Sequence, residues 1–205
     1  MNIGLLVLES DPTTEIEFKN QLLDDNIYVS RIEYDDCCEL DNLDMEKQVI
    51  DASRKLPDLT FDYLVYACTS GSMVLGERVI LTLSYLLPTV RRVITPSYCI
   101  DKELQYRGVE NISLITPYVS EVHNMVAGWF NNDYFVEQEK YFSAITDREI
   151  SEIIPKDIED TIDKFQDNCE AIVLCCTALP TERYLSHPKV VSSNGSMIDY
   201  IRRTK

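Results

Sequence analysis

No CxxC pair occurs in this sequence, and its two histidines, His123 and His187, stand in no ligand-spaced cluster. Zinc sites depend on such spacing, so no metal is expected. Basic residues are also scarce: 19 Lys and Arg face 35 Asp and Glu, giving a formal net charge of -16. Nucleic acid and anionic membranes both require a basic surface, and neither is expected as a partner. A small anion is still compatible with this chain, because a local pocket of backbone donors can oppose the global field. No apolar run approaches the roughly 18 residues that span a bilayer. The N-terminus has no basic stretch, and its apolar run, Ile3 to Leu8, is too short for a secretory signal. A glycine-rich nucleotide loop is missing as well.

What the chain does carry is cysteine in an odd pattern. There are seven, four of them in the adjacent pairs Cys37-Cys38 and Cys175-Cys176. Vicinal cysteines are poor partners for each other, and no evenly spaced disulfide framework emerges. Reduced thiols and a cytoplasmic location are the expectation. With 205 residues, 45% hydrophobic and 26% charged, the chain can bury a full core in one large or two small domains.

The organising stretch is Asp62 to Ser72, DYLVYACTSGS. Its first half is the β-branched and aromatic run of a buried parallel strand. Its second half sets Cys68 at the strand's C-terminal edge, where open α/β sheets bind their ligands. Thr69 and Ser70 follow with donors suited to an anion. A lone cysteine after a strand is more often packed than reactive. Here there is a second copy: Ala171 to Leu179, AIVLCCTAL, again ends an apolar run in Cys176-Thr177.

The remaining elements fall into the same order twice. Strands are expected at 2–8, 27–34, 61–67 and 92–95, with helices near 11–23, 45–56, 74–87 and 97–106, and an acidic loop from Asp35 to Asp44. Ser10 or Asp11 can cap the first helix, and Gly108 suits the end of the last. The second round has strands at 111–116, 134–142, 171–175 and 189–192. Its helices are expected at 119–130, 150–166 and 195–203. Asn2 and Asn111, Cys68 and Cys176, and Val93 and Val190 are separated by 109, 108 and 97 residues. The chain thus reads as an α/β protein of two pseudo-symmetric Rossmann-like lobes with parallel sheets, residues 1–108 and 109–205. The C-terminal helix is placed to pack back on the first lobe. Two strand-end thiols would then line one inter-lobe cleft.

With those residues in view, the chain resembles the aspartate/glutamate racemase superfamily, in its branch of maleate cis-trans isomerases and arylmalonate decarboxylases. The blocks that carry the resemblance are GLLVLESDPTTEIEF, YACTSGS, TPYVSEV, CCTAL and VVSSNGS, in that order and over nearly the whole chain. The resemblance implies a cofactor-independent isomerase of a small carboxylic acid. In it Cys68 adds as a thiolate to the substrate double bond, and Cys176 gives and takes the proton. Tyr118 would contact a substrate carboxylate, while Thr69, Ser70 and Thr177 would donate to developing charge. Arylmalonate decarboxylases keep a cysteine only in the second half, so Cys68 counts against that chemistry. A two-base racemase of amino or hydroxy acids, an arylmalonate-decarboxylase-like enzyme and a non-catalytic acid-binding protein remain as alternatives. A homo-oligomer is left open.

The resemblance also marks a departure. Asp11 and Asp147 stand where maleate isomerases carry substrate-binding asparagines. An ionised Asp accepts hydrogen bonds and repels a carboxylate, so a substrate with an amino or hydroxyl group comes into view. A protonated Asp would need a raised pKa to donate. Cys68 itself is expected to favour its thiolate, below the usual ~8.5 of a free cysteine. Cys175, Cys37, Cys38, Cys99 and Cys169 read as packed or incidental, and Ser193 and Asn194 as weak site candidates.

Overall fold

Along 2–8 and 61–67 nearly every side chain is apolar, which suits strands buried on both faces of a parallel sheet. The computed structural model of the chain describes residues 1–33 and 42–205. In it β1 (Asn2–Leu8), β2 (Asn26–Ile32), β3 (Phe61–Ala67) and β4 (Val90–Ile94) form a parallel sheet ordered β2-β1-β3-β4. A second sheet repeats that topology with β5 (Asn111–Thr116), β6 (Phe135–Tyr141), β7 (Ala171–Leu174) and β8 (Val190–Ser192), ordered β6-β5-β7-β8. The two lobes are therefore similar α/β units, and the strand order reverses at β1/β3 in one and at β5/β7 in the other. Those reversals are where open sheets leave a crevice at their carboxyl ends.

Nine helices cover the sheets among the described residues. They are α1 (Thr14–Gln21), α2 (Asn42–Arg54), α3 (Thr69–Leu75), α4 (Glu77–Leu86), α5 (Pro96–Arg107), α6 (Ser120–Phe130), α7 (Asp147–Ser151), α8 (Pro155–Phe165) and α9 (Ser193–Arg203). Strand alternation sorts the first lobe into two cores. Ile3, Leu5, Val7, Tyr63, Val65 and Ala67 face one way, and Leu6, Leu8, Leu64, Tyr66 and Cys68 the other. The lobes are locked by exchange of their last helices. Ile100 and Leu104 of α5 belong to the core of the second sheet, and Met197, Ile198 and Ile201 of α9 to that of the first. Each such buried side chain contributes about 1.5–3 kcal/mol.

Three expectations need correction. The helix expected at 150–166 is two helices, because Pro155 cannot donate into a continuing ladder and instead opens α8 at its first turn. The helix expected at 74–87 begins at Thr69, directly after Cys68, and is interrupted at Gly76, whose φ of 57° breaks the run. The first helix starts at Thr14, later than expected. Gly108 does end α5 in the left-handed conformation. Of the expected acidic loop, residues 35–41, with Cys37 and Cys38, lie outside the described residues, and 42–44 open α2.

Candidate active site

Register brings the chemistry together. Val7 lies opposite Ala67 and Ile115 opposite Leu174. The turn after β1 therefore emerges beside Cys68, and the Thr116-Pro117-Tyr118 turn beside Cys175-Cys176. Cys68 is the N-cap residue of α3, with extended backbone. Its sulfur lies 3.9 Å from the Ser70 hydroxyl. No cap hydrogen bond is formed, yet the Gly71 N–H and the Ser70 and Tyr66 hydroxyls all favour its thiolate. Tyr66 shares the strand face of Cys68, two residues before it.

Those donors do not win. Burial, with a smaller push from the Asp147 charge, raises the Cys68 thiol to about 11. The expected thiolate-favouring environment is thus reversed, because removing the sulfur from water outweighs three neighbouring donors. The sign fixes a pH dependence. A group with its pKa at about 11 is roughly one part in ten thousand thiolate at pH 7, and that fraction grows tenfold per pH unit until about pH 11. Alkylation of Cys68 by iodoacetamide should rise about a hundredfold between pH 7 and 9 without levelling off. A plateau near pH 8.5, read by mass spectrometry of the Cys68 peptide, would reject this.

Cys176 is the other pole. Its φ is 130°, one of two positive values outside glycine among the described residues. Such a backbone costs about 1–3 kcal/mol and persists only where surroundings hold it. The Cys176 N–H donates to Ser193 Oγ at 3.1 Å. The Tyr118 hydroxyl and the Ala178 N–H near its sulfur favour the thiolate. Burial and the carboxylates of Asp147 and Asp11 nevertheless hold its pKa well above normal. Tyr118 is itself buried and raised, chiefly by desolvation and then by the charges of Cys176, Cys175 and Cys68. Tyr118 and Asp147 thus each act on both Cys68 and Cys176, so the two strand ends share one electrostatic environment.

The two aspartates differ. Asp11 is satisfied by its own turn: Oδ1 accepts from the N–H groups of Thr13 and Thr14 at 2.8 and 3.0 Å, and Oδ2 accepts from Thr14 Oγ1 at 2.5 Å. It closes the start of α1, and Arg31 pins that turn by donating to the Leu8 and Asp11 carbonyls. Asp147, at the first position of α7, accepts one bond, from Ser10 Oγ across the lobes at 2.6 Å. Desolvation raises its pKa, the Ser10 bond lowers it, and the Asp11 charge raises it further.

The hydroxyl residues are used between the lobes. Thr69 Oγ1 donates to Ser193 Oγ at 2.8 Å, the same oxygen that accepts from Cys176 N–H, so one serine joins both cysteine turns. Thr177 Oγ1 donates to the Ala67 carbonyl at 3.3 Å. Asn194 Nδ2 donates to the Thr177 carbonyl at 2.9 Å and to Glu17 Oε2 at 2.8 Å. Sequence reading flagged Ser193 and Asn194 only weakly and missed Ser10, Glu17, Tyr66 and Gly71. Of these, Tyr66 had a readable signal in its same-face spacing from Cys68. Cys175 is buried inside the second sheet, with its N–H on the Ile115 carbonyl, and its thiol is strongly raised by burial alone. Cys99 and Cys169 are buried away from these turns, in the α5 core and beside Phe165. A cavity of about 480 Å³ opens farther along α3, between Ser72, Tyr98 and Trp129, and includes neither site cysteine. Among the described residues no His, Cys, Asp and Glu cluster could hold a metal ion, and no helix is long and apolar enough to cross a membrane.

No family model and no curated protein matches the sequence. The fold does have similar solved structures. The Nocardia farcinica maleate cis-trans isomerase bound to TRIS is similar with a TM-score of 0.87 at 19% identity, over 99% of this chain and 91% of that one. A maleate isomerase from Pseudomonas putida S16 gives 0.83 at 16%, over 100% and 92%. Arylmalonate decarboxylase gives 0.78 at 18%, over 98% and 92%. The protein has the two-lobed fold of these maleate isomerases and of arylmalonate decarboxylase.

Proposed function

We propose that this protein is a cofactor-independent isomerase of a small carboxylic acid, with maleate-to-fumarate conversion the first reaction to test. The observation that carries the reading is the pair of strand-end cysteines at equivalent places in two lobes, coupled through Tyr118 and Asp147. Thiols are the strong nucleophiles at this site. A structure of the Nocardia farcinica maleate isomerase, a cysteine-to-serine mutant, holds a covalent succinylcysteine intermediate. That species is what a thiol and maleate give on addition, and Cys68 is suited to the same chemistry.

The steps balance as follows. Cys68 gives its proton to Asp147, whose carboxylate is made a better base by burial. The thiolate adds to one alkene carbon, and the π electron pair moves toward the adjacent carboxylate. The Thr69 and Thr177 hydroxyls are engaged with Ser193 and the Ala67 carbonyl, so the Ser70 hydroxyl and the Gly71 N–H are the donors best suited to that developing charge. The Cys176 S–H protonates the other carbon, leaving a C–C single bond that rotates. Cys176 thiolate then removes that proton, the C–S bond breaks, and Asp147 returns the first proton to Cys68.

A two-base racemase is the second reading, and Asp147 is what favours it. A carboxylate whose charge acts on both thiols is better matched to a substrate ammonium or hydroxyl than to a second carboxylate. Proton NMR in heavy water separates the readings, with maleate and a panel of amino and hydroxy dicarboxylic acids as substrates. Alkene conversion supports the isomerase, and deuterium entering the α-position of a saturated acid supports the racemase. No change in any member, with unaltered binding by Cys68→Ala, would leave an acid-binding protein instead.

A further inference from the structure

A buried glutamate outside the reacting groups governs one of the two cysteines. Glu17 lies on α1 and is 4% exposed, with no cation bonded to it among the described residues. Its Oε1 accepts from the backbone N–H groups of Thr181 and Glu182 at 2.7 and 2.9 Å. Its Oε2 accepts from Asn194 Nδ2 at 2.8 Å and from Thr181 Oγ1 at 3.3 Å. All four donors come from the second lobe, three from the Thr181-Glu182 turn that follows Cys176 and one from the first turn of α9. A carboxylate that accepts four bonds fixes the direction of every donor around it.

The chain of contacts leads to Cys176. With its amide nitrogen held by Glu17, Asn194 also donates to the Thr177 carbonyl, the peptide oxygen just past Cys176. Thr14 Oγ1, from the same helix as Glu17, packs 3.1 Å from that carbonyl while its proton goes to Asp11 Oδ2, so Asn194 is the donor the carbonyl depends on. On its other side Cys176 is tied to Ser193, the neighbour of Asn194. The left-handed backbone at Cys176 is thus clamped from α1 and from α9, while Cys68 sits on α3 with none of these bonds.

We infer that Glu17 is a positioning residue for Cys176: by orienting Asn194 and anchoring the Thr181 turn, it keeps the Cys176 backbone strained and its thiol on Tyr118. This rests on the reading of Cys176 as the site's proton carrier. Glutamine cannot replace Glu17, although it has the same size. Its amide would set a donor against either Asn194 Nδ2 or the Thr181 and Glu182 N–H groups. If Asn194 turns to meet it, the Thr177 carbonyl loses its donor.

The test follows iodoacetamide labelling of individual cysteines by tandem mass spectrometry in Glu17→Gln, Glu17→Ala, Asn194→Ala and the Glu17→Gln/Asn194→Ala double variant. Labelling of Cys176 should rise at least tenfold in Glu17→Gln and Asn194→Ala. Cys68, Cys99 and Cys169 should stay within about twofold of the unaltered protein. Because both residues act along one chain, the double variant should label no faster than the faster single variant. For whichever acid the NMR panel finds converted, kcat should fall about tenfold with KM held. An unchanged Cys176 rate, or all four cysteines rising together as in general loosening, would overturn the inference. Should Glu17→Ala fail to fold, the glutamine and Asn194 variants decide it. If no acid is converted, the isomerase reading falls alone, and the labelling still decides the role of Glu17.

Discussion

Cys68→Ala should lower turnover by about four orders of magnitude or more, as removal of a covalent nucleophile does. Alanine deletes the only thiol that the described residues place on the α3 side of the site, and the space it leaves cannot be filled by Ser70, whose hydroxyl is 3.9 Å from the missing sulfur. Cys176→Ala should behave differently. It keeps the nucleophile and removes the proton carrier, so addition can proceed while release slows. Intact-mass spectrometry after incubation with maleate should show a gain of one substrate molecule on Cys68 in that variant and none in Cys68→Ala. Equal, modest losses in both variants without any adduct would count against covalent chemistry and for the two-base reading. The Cys68→Ala fold itself should survive, because the residue sits at a strand end and loses little packed volume.

The two cysteine turns were legible because they depend on local pattern. Apolar runs of strand length, each closed by Cys-Thr, mark the carboxyl ends of β3 and β7 whatever the rest of the chain does. The doubled strand order was legible for the same reason. Helix limits are less legible where single residues decide them: Pro155 falls inside the helix expected at 150–166 but begins α8, and the small residues after Cys68, ahead of the helix expected at 74–87, form α3. Gly71, Ser72 and Ser70 are weak helix formers, and packing of Met73 and Leu75 overrides that preference.

The site's electrostatics were the least legible part. Counting donors near Cys68 suggested a lowered pKa, but the sign depends on burial, which comes from tertiary packing by α2, α4 and Tyr66. Asp11 illustrates the same limit. Its sequence position allowed either a cap or a substrate contact, and the three bonds to Thr13 and Thr14 use its carboxylate within its own turn. Glu17 gave no signal at all, since an acid in the first turns of a helix is ordinary on a solvated face. Only the approach of α9 and the Thr181 turn makes it a buried acceptor.

Gly71→Ala should cost about a hundredfold in turnover, although it adds a single methyl to a helix that glycine weakens. A Cβ at this position would lie 2.2 Å from the Tyr66 hydroxyl, 3.0 Å from Cys68 Sγ and 3.1 Å from Met45 Sδ. Alanine is the better helix former by up to about 1 kcal/mol, but an overpacked core loses about 1–3 kcal/mol, so the clash prevails. Tyr66 is 1% exposed, wedged among Leu6, Leu64 and Val49, and can yield only by drawing its hydroxyl away from the sulfur. The methyl therefore removes the Tyr66 donor and displaces the sulfur together. Both changes push the Cys68 thiol further from ionising. A second variant separates the clash from the chemistry. Tyr66→Phe removes the crowding oxygen, so Gly71→Ala/Tyr66→Phe should be more stable in urea than the two single costs predict. Its turnover should stay low, because the hydroxyl that favours the thiolate is gone. Gly71→Ala alone with unchanged Cys68 alkylation and unchanged turnover would show that neither the Gly71 N–H nor Tyr66 prepares this sulfur.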